Sequence, residues 1–131
     1  MRWTSVILGA AAFIAAHGVE VAAWSTWFGP DHEPWFLNSG RAVAFTAGCL
    51  LVAGMAAGAA RRSALREAMV DGVSVTVGAV LAMMGVLFAT GPGAIFPIVL
   101  IFGSVIAAAA SVPGALVGSI LRSAFSALYR R

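Results

Sequence analysis

The sequence predicts an all-α integral membrane protein: a four-transmembrane-helix bundle with both termini in the cytoplasm and a C-terminal amphipathic interfacial helix. Three observations predict it. The first is length and hydropathy. Four apolar runs, Ser5–Phe28, Ala42–Ala60, Val70–Thr90 and Ala94–Val112, fill most of the 131 residues. Each is close to the roughly 20 residues that cross a hydrocarbon core of about 30 Å. The second is composition, 61% hydrophobic and only 10% charged. Soluble domains carry about 25% charged residues, and soluble bundle helices need a charged face that these runs lack.

The third observation is where the arginines fall. All eight bases are arginine and the net charge is +3. Arg2 precedes the first run, Arg61, Arg62 and Arg66 separate the second and third, and Arg122, Arg130 and Arg131 follow the fourth. Only Arg41 lies between the first and second runs, and the connection between the third and fourth is uncharged. Basic residues favour the cytoplasmic side of a membrane. The pattern therefore places loops 29–41 and 90–94 outside. It also excludes a nucleic-acid interface, because the bases are split among short membrane-flanking segments with no basic domain.

One membrane domain, 1–131, accounts for the chain, with spans at about 4–28, 42–60, 70–90 and 94–112. The first run is too long for a cleaved signal peptide and carries His17 and Glu20. Trp3 at one end and Trp24, Trp27 and Phe28 at the other suit the two membrane interfaces. Gly29-Pro30 ends the helix, since proline lacks the amide that would continue it. Asn38 or Ser39 is placed to cap the second helix. That helix contains Gly54 and Gly58 in a GxxxG spacing, which lets two backbones approach closely in lipid. Ser63 is a candidate cap for the third helix. Thr90-Gly91-Pro92-Gly93 is a turn by composition. After Pro113-Gly114, apolar residues recur at helical spacing beside arginines, which predicts an amphipathic helix over about 114–129 on the inner leaflet. One long kinked fourth helix is the alternative.

His17 and Glu20 are the sharpest local signal. Three positions apart, they share a helix face with Phe13, Trp24 and Trp27. An ionisable side chain inside a bilayer is costly, at least about 2.5 kcal/mol. The stripe is therefore expected to face protein or a water-filled cavity. Two readings follow. His17, Glu20 and Trp24 form a protonatable site for an ion, a cationic ligand or a quinone-like headgroup, or they lock the first helix to its neighbours. Asp71 is a second candidate acid, near the inner face, with Arg61, Arg62 or Arg66 as its expected partner. Asp31, His32 and Glu33 are adjacent in one loop and converge poorly on a metal. Cys49 stands alone and reads as a packing residue. A bis-histidine haem would need a second histidine on a facing span. No hydrolase, zinc-protease, P-loop or dinucleotide motif is present. No catalytic residue, metal site or cofactor is predicted. A quinone or a bound lipid is the ligand class that would suit such a chain.

The stretch Leu8-Gly9-Ala10-Ala11-Ala12-Phe13-Ile14-Ala15-Ala16-His17-Gly18 resembles the first helix of the DoxX family, with its Leu-Gly, Phe and His-Gly. The resemblance covers 11 of 131 residues. It departs from the family where Glu20, Val21 and Ala22 replace a basic residue. It implies a four-span protein of a bacterial cytoplasmic membrane, associated with redox complexes that reduce quinone, and it transfers only His17 as a polar site. The layout also parallels small multidrug-type transporters, which carry one acid in the first helix, a place Glu20 would fill. The expected function is thus a non-catalytic subunit or accessory of a larger membrane assembly. Its partners are the bilayer and either other membrane subunits or further copies of the chain. The alternative is an oligomeric proton- or cation-coupled transporter or channel using Glu20.

Overall fold

The computed structural model of the chain describes residues 2–28, 37, 39–60, 64–90 and 96–130. All regular structure among them is helical: α1 (Trp3–Ala23), a π-helical turn (Trp24–Phe28), α2 (Gly40–Ala59), α3 (Leu65–Thr90) and α4 (Phe96–Leu128). The four α-helices are each long and apolar enough to cross a membrane. With 21 and 20 residues, α1 and α2 rise about 30 Å, a bilayer core and no more. The 26 residues of α3 and 33 of α4 reach about 39 and 50 Å, so both project beyond the other two.

The contacts define an up-down-up-down bundle. Ser5 meets Asp71 and Gly9 meets Val75, so α1 and α3 run parallel. Gly54 meets Ser111 and Gly58 meets Ala115, so α2 and α4 also run parallel. Glu20 bonds Thr46, and Arg41 Nη1 donates to the Trp27 carbonyl at 3.2 Å, which makes α1 and α2 antiparallel. Thr76 with Ser111 and Phe88 with Phe96 do the same for α3 and α4. Arg2, Ala59, Glu67 and Arg122 thereby share one end of the bundle, the ionic end.

Glycine decides how close the parallel pairs come. A Cβ on Gly54 or Gly58 would collide with the carbonyls of Ser111 and Ala115. In return, one on Gly114 or Gly118 would collide with those of Leu51 and Met55. Two GxxxG motifs on parallel helices thus interlock, and α4 supplies the second, Gly114 to Gly118. The same reciprocity joins Gly9 and Gly78, which face the carbonyls of Val75 and Val6. In lipid, which is as apolar as a protein core, close packing and polar bonds between helices would hold such a bundle together, rather than exclusion from water. Towards the other end the space is filled by Phe13, Leu50, Met83 and Leu87, each at most 1% exposed. Phe88 instead faces outward at 73%.

Several sequence expectations change here. The separate interfacial helix over 114–129 does not form: α4 is continuous through Pro113. Proline in a helix interior costs about 3 kcal/mol, but Ser111, Gly114, Ala115 and Gly118 are clamped against α2 on both sides of it. The apolar residues beyond, including Leu121, Phe125 and Leu128, are exposed. The first span is not one regular helix to Phe28, because its last turn is π-helical. Ser39 stands at the start of α2 but makes no side-chain cap. The predicted Gly29-Pro30 stop, the Asn38 and Ser63 caps, the Gly91-Pro92-Gly93 turn and the Ala94 start of the fourth span lie outside the described residues.

Candidate functional site

Two acids are buried in the bundle, and α1 reaches both. Glu20, the last buried residue of α1, is 0% exposed. Thr46 Oγ1 of α2 donates a hydrogen bond to Glu20 Oε1. His17 Nδ1 lies 3.9 Å from Oε2, with the imidazole side chain 19% exposed. Oε2 has no hydrogen-bond partner among the described residues. Phe13 stacks flat beyond His17, with ring centroids 6.4 Å apart. Trp24, one turn beyond Glu20, is 8% exposed, whereas Trp27 is 65% exposed. The predicted five-residue stripe therefore holds from Phe13 to Trp24 and fails at Trp27. The π-helical turn changes the angular step per residue, so Trp27 leaves the face that Glu20 occupies.

Sequence reasoning missed Thr46. Its signal was a lone hydroxyl in an alanine- and glycine-rich span, which also suits a side chain bonded to its own helix. The choice of Glu20 depends on the antiparallel pairing of α1 and α2. Part-buried Cys49 is one turn further along α2 and is a free thiol.

Asp71 anchors the second site, about 22 Å away along α1 by the fifteen positions from Ser5 to Glu20. Its carboxylate is 2% exposed, with Arg2 Nη1 at 2.7 Å from Oδ2. Ser5 Oγ donates to Oδ1 at 3.1 Å. Arg2 also pairs with Glu67, Nη2 to Oε2 at 3.3 Å, and its backbone amide donates to Ser74 Oγ at 3.2 Å. The expected partners were Arg61, Arg62 or Arg66. Arg61 and Arg62 lie outside the described residues, and Arg66 is not bonded to Asp71. Arg2 replaces them because the Gly9–Gly78 approach draws the start of α1 alongside α3. Nearby, Arg122 Nη1 donates to the Ala59 carbonyl, satisfying a free acceptor at the C-terminus of α2.

Four of the helix pairs thus carry a polar bond among the described residues: α1–α2 through Thr46 to Glu20, α1–α3 through Ser5 to Asp71, α3–α4 through Thr76 with Ser111 at 2.6 Å, and α2–α4 through Arg122 to Ala59. Gly54 and Gly58, predicted as a packing motif, face α4 within the chain. A small cavity of about 90 Å³ lies beside Asp71 and Ser5, walled by Thr4, Leu8, Ala56 and Ala57. A wider one of about 350 Å³ opens by Trp27, Arg41, Ala44 and Phe45. Among the described residues no three His, Cys, Asp or Glu side chains converge on a metal position. The loop of Asp31, His32 and Glu33 lies outside them. Compared with known proteins, the chain matches no family model, no curated protein and no solved structure.

Proposed function

We propose that the chain is a small, non-catalytic membrane subunit that works by packing against other membrane proteins. Its ionic end faces the cytoplasm, and the DoxX-like first helix points to a bacterial redox complex as the assembly. What supports this reading is the closed state of the polar stripe. Phe13, Glu20 and Trp24 are 1%, 0% and 8% exposed, and Glu20 is tied to a neighbouring helix. A membrane acid that handles a solute faces a water-filled cavity or pathway. This one serves to hold α1 on α2.

The test has two parts. In mild detergent the protein should co-purify with other membrane subunits or as a stable homo-oligomer. In a Cys49→Ser background, single cysteines at positions 17, 20 and 24 should resist small water-soluble thiol reagents. A monodisperse monomer that moves a solute alone, with all three cysteines rapidly modified, overturns the proposal.

One observation favours a second reading, an oligomeric proton- or cation-coupled transporter. Glu20 Oε2 is buried without a hydrogen-bond partner among the described residues, a costly state unless a proton or cation meets it. On this reading Glu20→Gln in proteoliposomes loses coupled flux and stays folded. Flux that persists in the variant eliminates Glu20 as the coupling group.

A further inference from the structure

The arginines at the ionic end are not equivalent. Arg2 is committed to Asp71 and Glu67, and Arg122 to the Ala59 carbonyl. Arg66 is exposed and makes no ion pair or hydrogen bond among the described residues. It stands instead at the mouth of a groove of about 350 Å³ on the outer face of α3, lined by Met69, Val70, Val73 and Ser74. Met69, Val70 and Val73 are 49%, 41% and 53% exposed, so the floor of the groove is apolar and uncovered. Its single hydroxyl is already used: Ser74 Oγ donates to the Val70 carbonyl at 2.7 Å and accepts from the Arg2 amide.

The groove therefore has one positive charge at its rim and an apolar wall along its length, its one hydroxyl already bonded. From Arg66 to Val73 it extends about 10 Å along the helix axis, running from the ionic end inward. A polar solute finds no further partner there, and a purely apolar helix leaves Arg66 unmatched. An amphiphile with an anionic head and a hydrocarbon tail matches both parts in the right order. Glu67, the adjacent acid, is turned to Arg2 and does not line the groove, whose one charged lining residue among the described residues is Arg66.

We propose that the outer face of α3 is a binding site for an anionic phospholipid, its headgroup on Arg66 and an acyl chain along Met69, Val70 and Val73. Arginine suits this role because its guanidinium forms paired hydrogen bonds to phosphate oxygens. The site rests on the reading of the chain as a membrane protein and requires that its partners leave this face of α3 open.

The test uses the full chain in bilayers of equal phosphatidylglycerol and phosphatidylcholine. The protein is then extracted in mild detergent, and retained phospholipid is counted by headgroup. Phosphatidylglycerol should be retained over phosphatidylcholine about five-fold, the factor one arginine contributes at an anionic surface. Arg66→Gln should abolish the preference, and Arg66→Lys should keep part of it. Arg130→Gln should leave it intact, because Arg130 is also exposed at this end but lacks the groove. Val73→Trp, which fills the groove, should release lipid of either headgroup. Equal retention of the two lipids by the unaltered protein overturns the site. So does an undiminished preference in Arg66→Gln, or the finding that a second copy of the chain covers this face without lipid. Undiminished retention in Val73→Trp overturns the placement of the acyl chain.

Discussion

Thr46 Oγ1 donates its hydrogen bond to Glu20 Oε1 across the interface of α1 and α2, between residues 26 positions apart. Both side chains are buried, at 2% and 0% exposure. The bond satisfies one oxygen of a carboxyl group that water does not reach, and it fixes the register of two helices whose apolar faces alone would slide.

Removing the donor should therefore cost more than removing the acid's ionisability. Thr46→Val keeps the shape and leaves Glu20 Oε1 without its partner, an expected loss of about 1–2 kcal/mol. Glu20→Gln keeps an acceptor for Thr46 and should lose less. Thermal unfolding of the two variants in one detergent checks the order. A Thr46→Val protein as stable as the unaltered chain would show that the bond does not hold the interface.

Glycines at helix contacts and glycines on the outside should respond with opposite sign. Gly58→Ala and Gly118→Ala place a methyl group against the carbonyls of Ala115 and Met55, so each should destabilise by about 1–3 kcal/mol. Gly18 and Gly48 meet nothing within 4 Å. Alanine there should stabilise by about 0.5–1 kcal/mol through backbone entropy. Melting temperatures of the four variants would sink the interlocked-motif account if they moved together.

Arg2 and Asp71 should couple strongly. Asp71 is buried, so Arg2→Gln strands a carboxylate and is expected to cost about 3 kcal/mol, whereas the double variant Arg2→Gln/Asp71→Asn should recover much of that loss. The readout is a double-mutant cycle on unfolding free energies. Simple additivity of the two single changes contradicts a direct pair.

Topology is checked by labelling from the two sides of the membrane. In a Cys49→Ser background, cysteines at Ala64 and Ala127 should react from the cytoplasmic side and one at Thr26 from the opposite side. Ala64 and Ala127 reacting from opposite sides refutes the shared ionic end.

The sequence by itself determined the number of helices and their nature, because four apolar runs of bilayer length leave an all-helical chain few other choices. It also picked out the two buried acids, since Glu20 and Asp71 are conspicuous where carbon dominates. It could not say what those groups touch. Glu20 to Thr46 and Asp71 to Arg2 join residues 26 and 69 positions apart, and such pairings follow from how helices dock. The docking itself turns on glycine. Gly54 and Gly58 were legible as a motif, but its reciprocal partner in Gly114 and Gly118 stood behind Pro113, which by local rules reads as a break. Only tertiary packing shows why the helix continues: contacts with α2 on either side of the proline outweigh the hydrogen bond it cannot make. The exit of Trp27 from the polar face has a similar origin, because a π-helical turn alters the angular step in a way that a regular 100° projection does not contain.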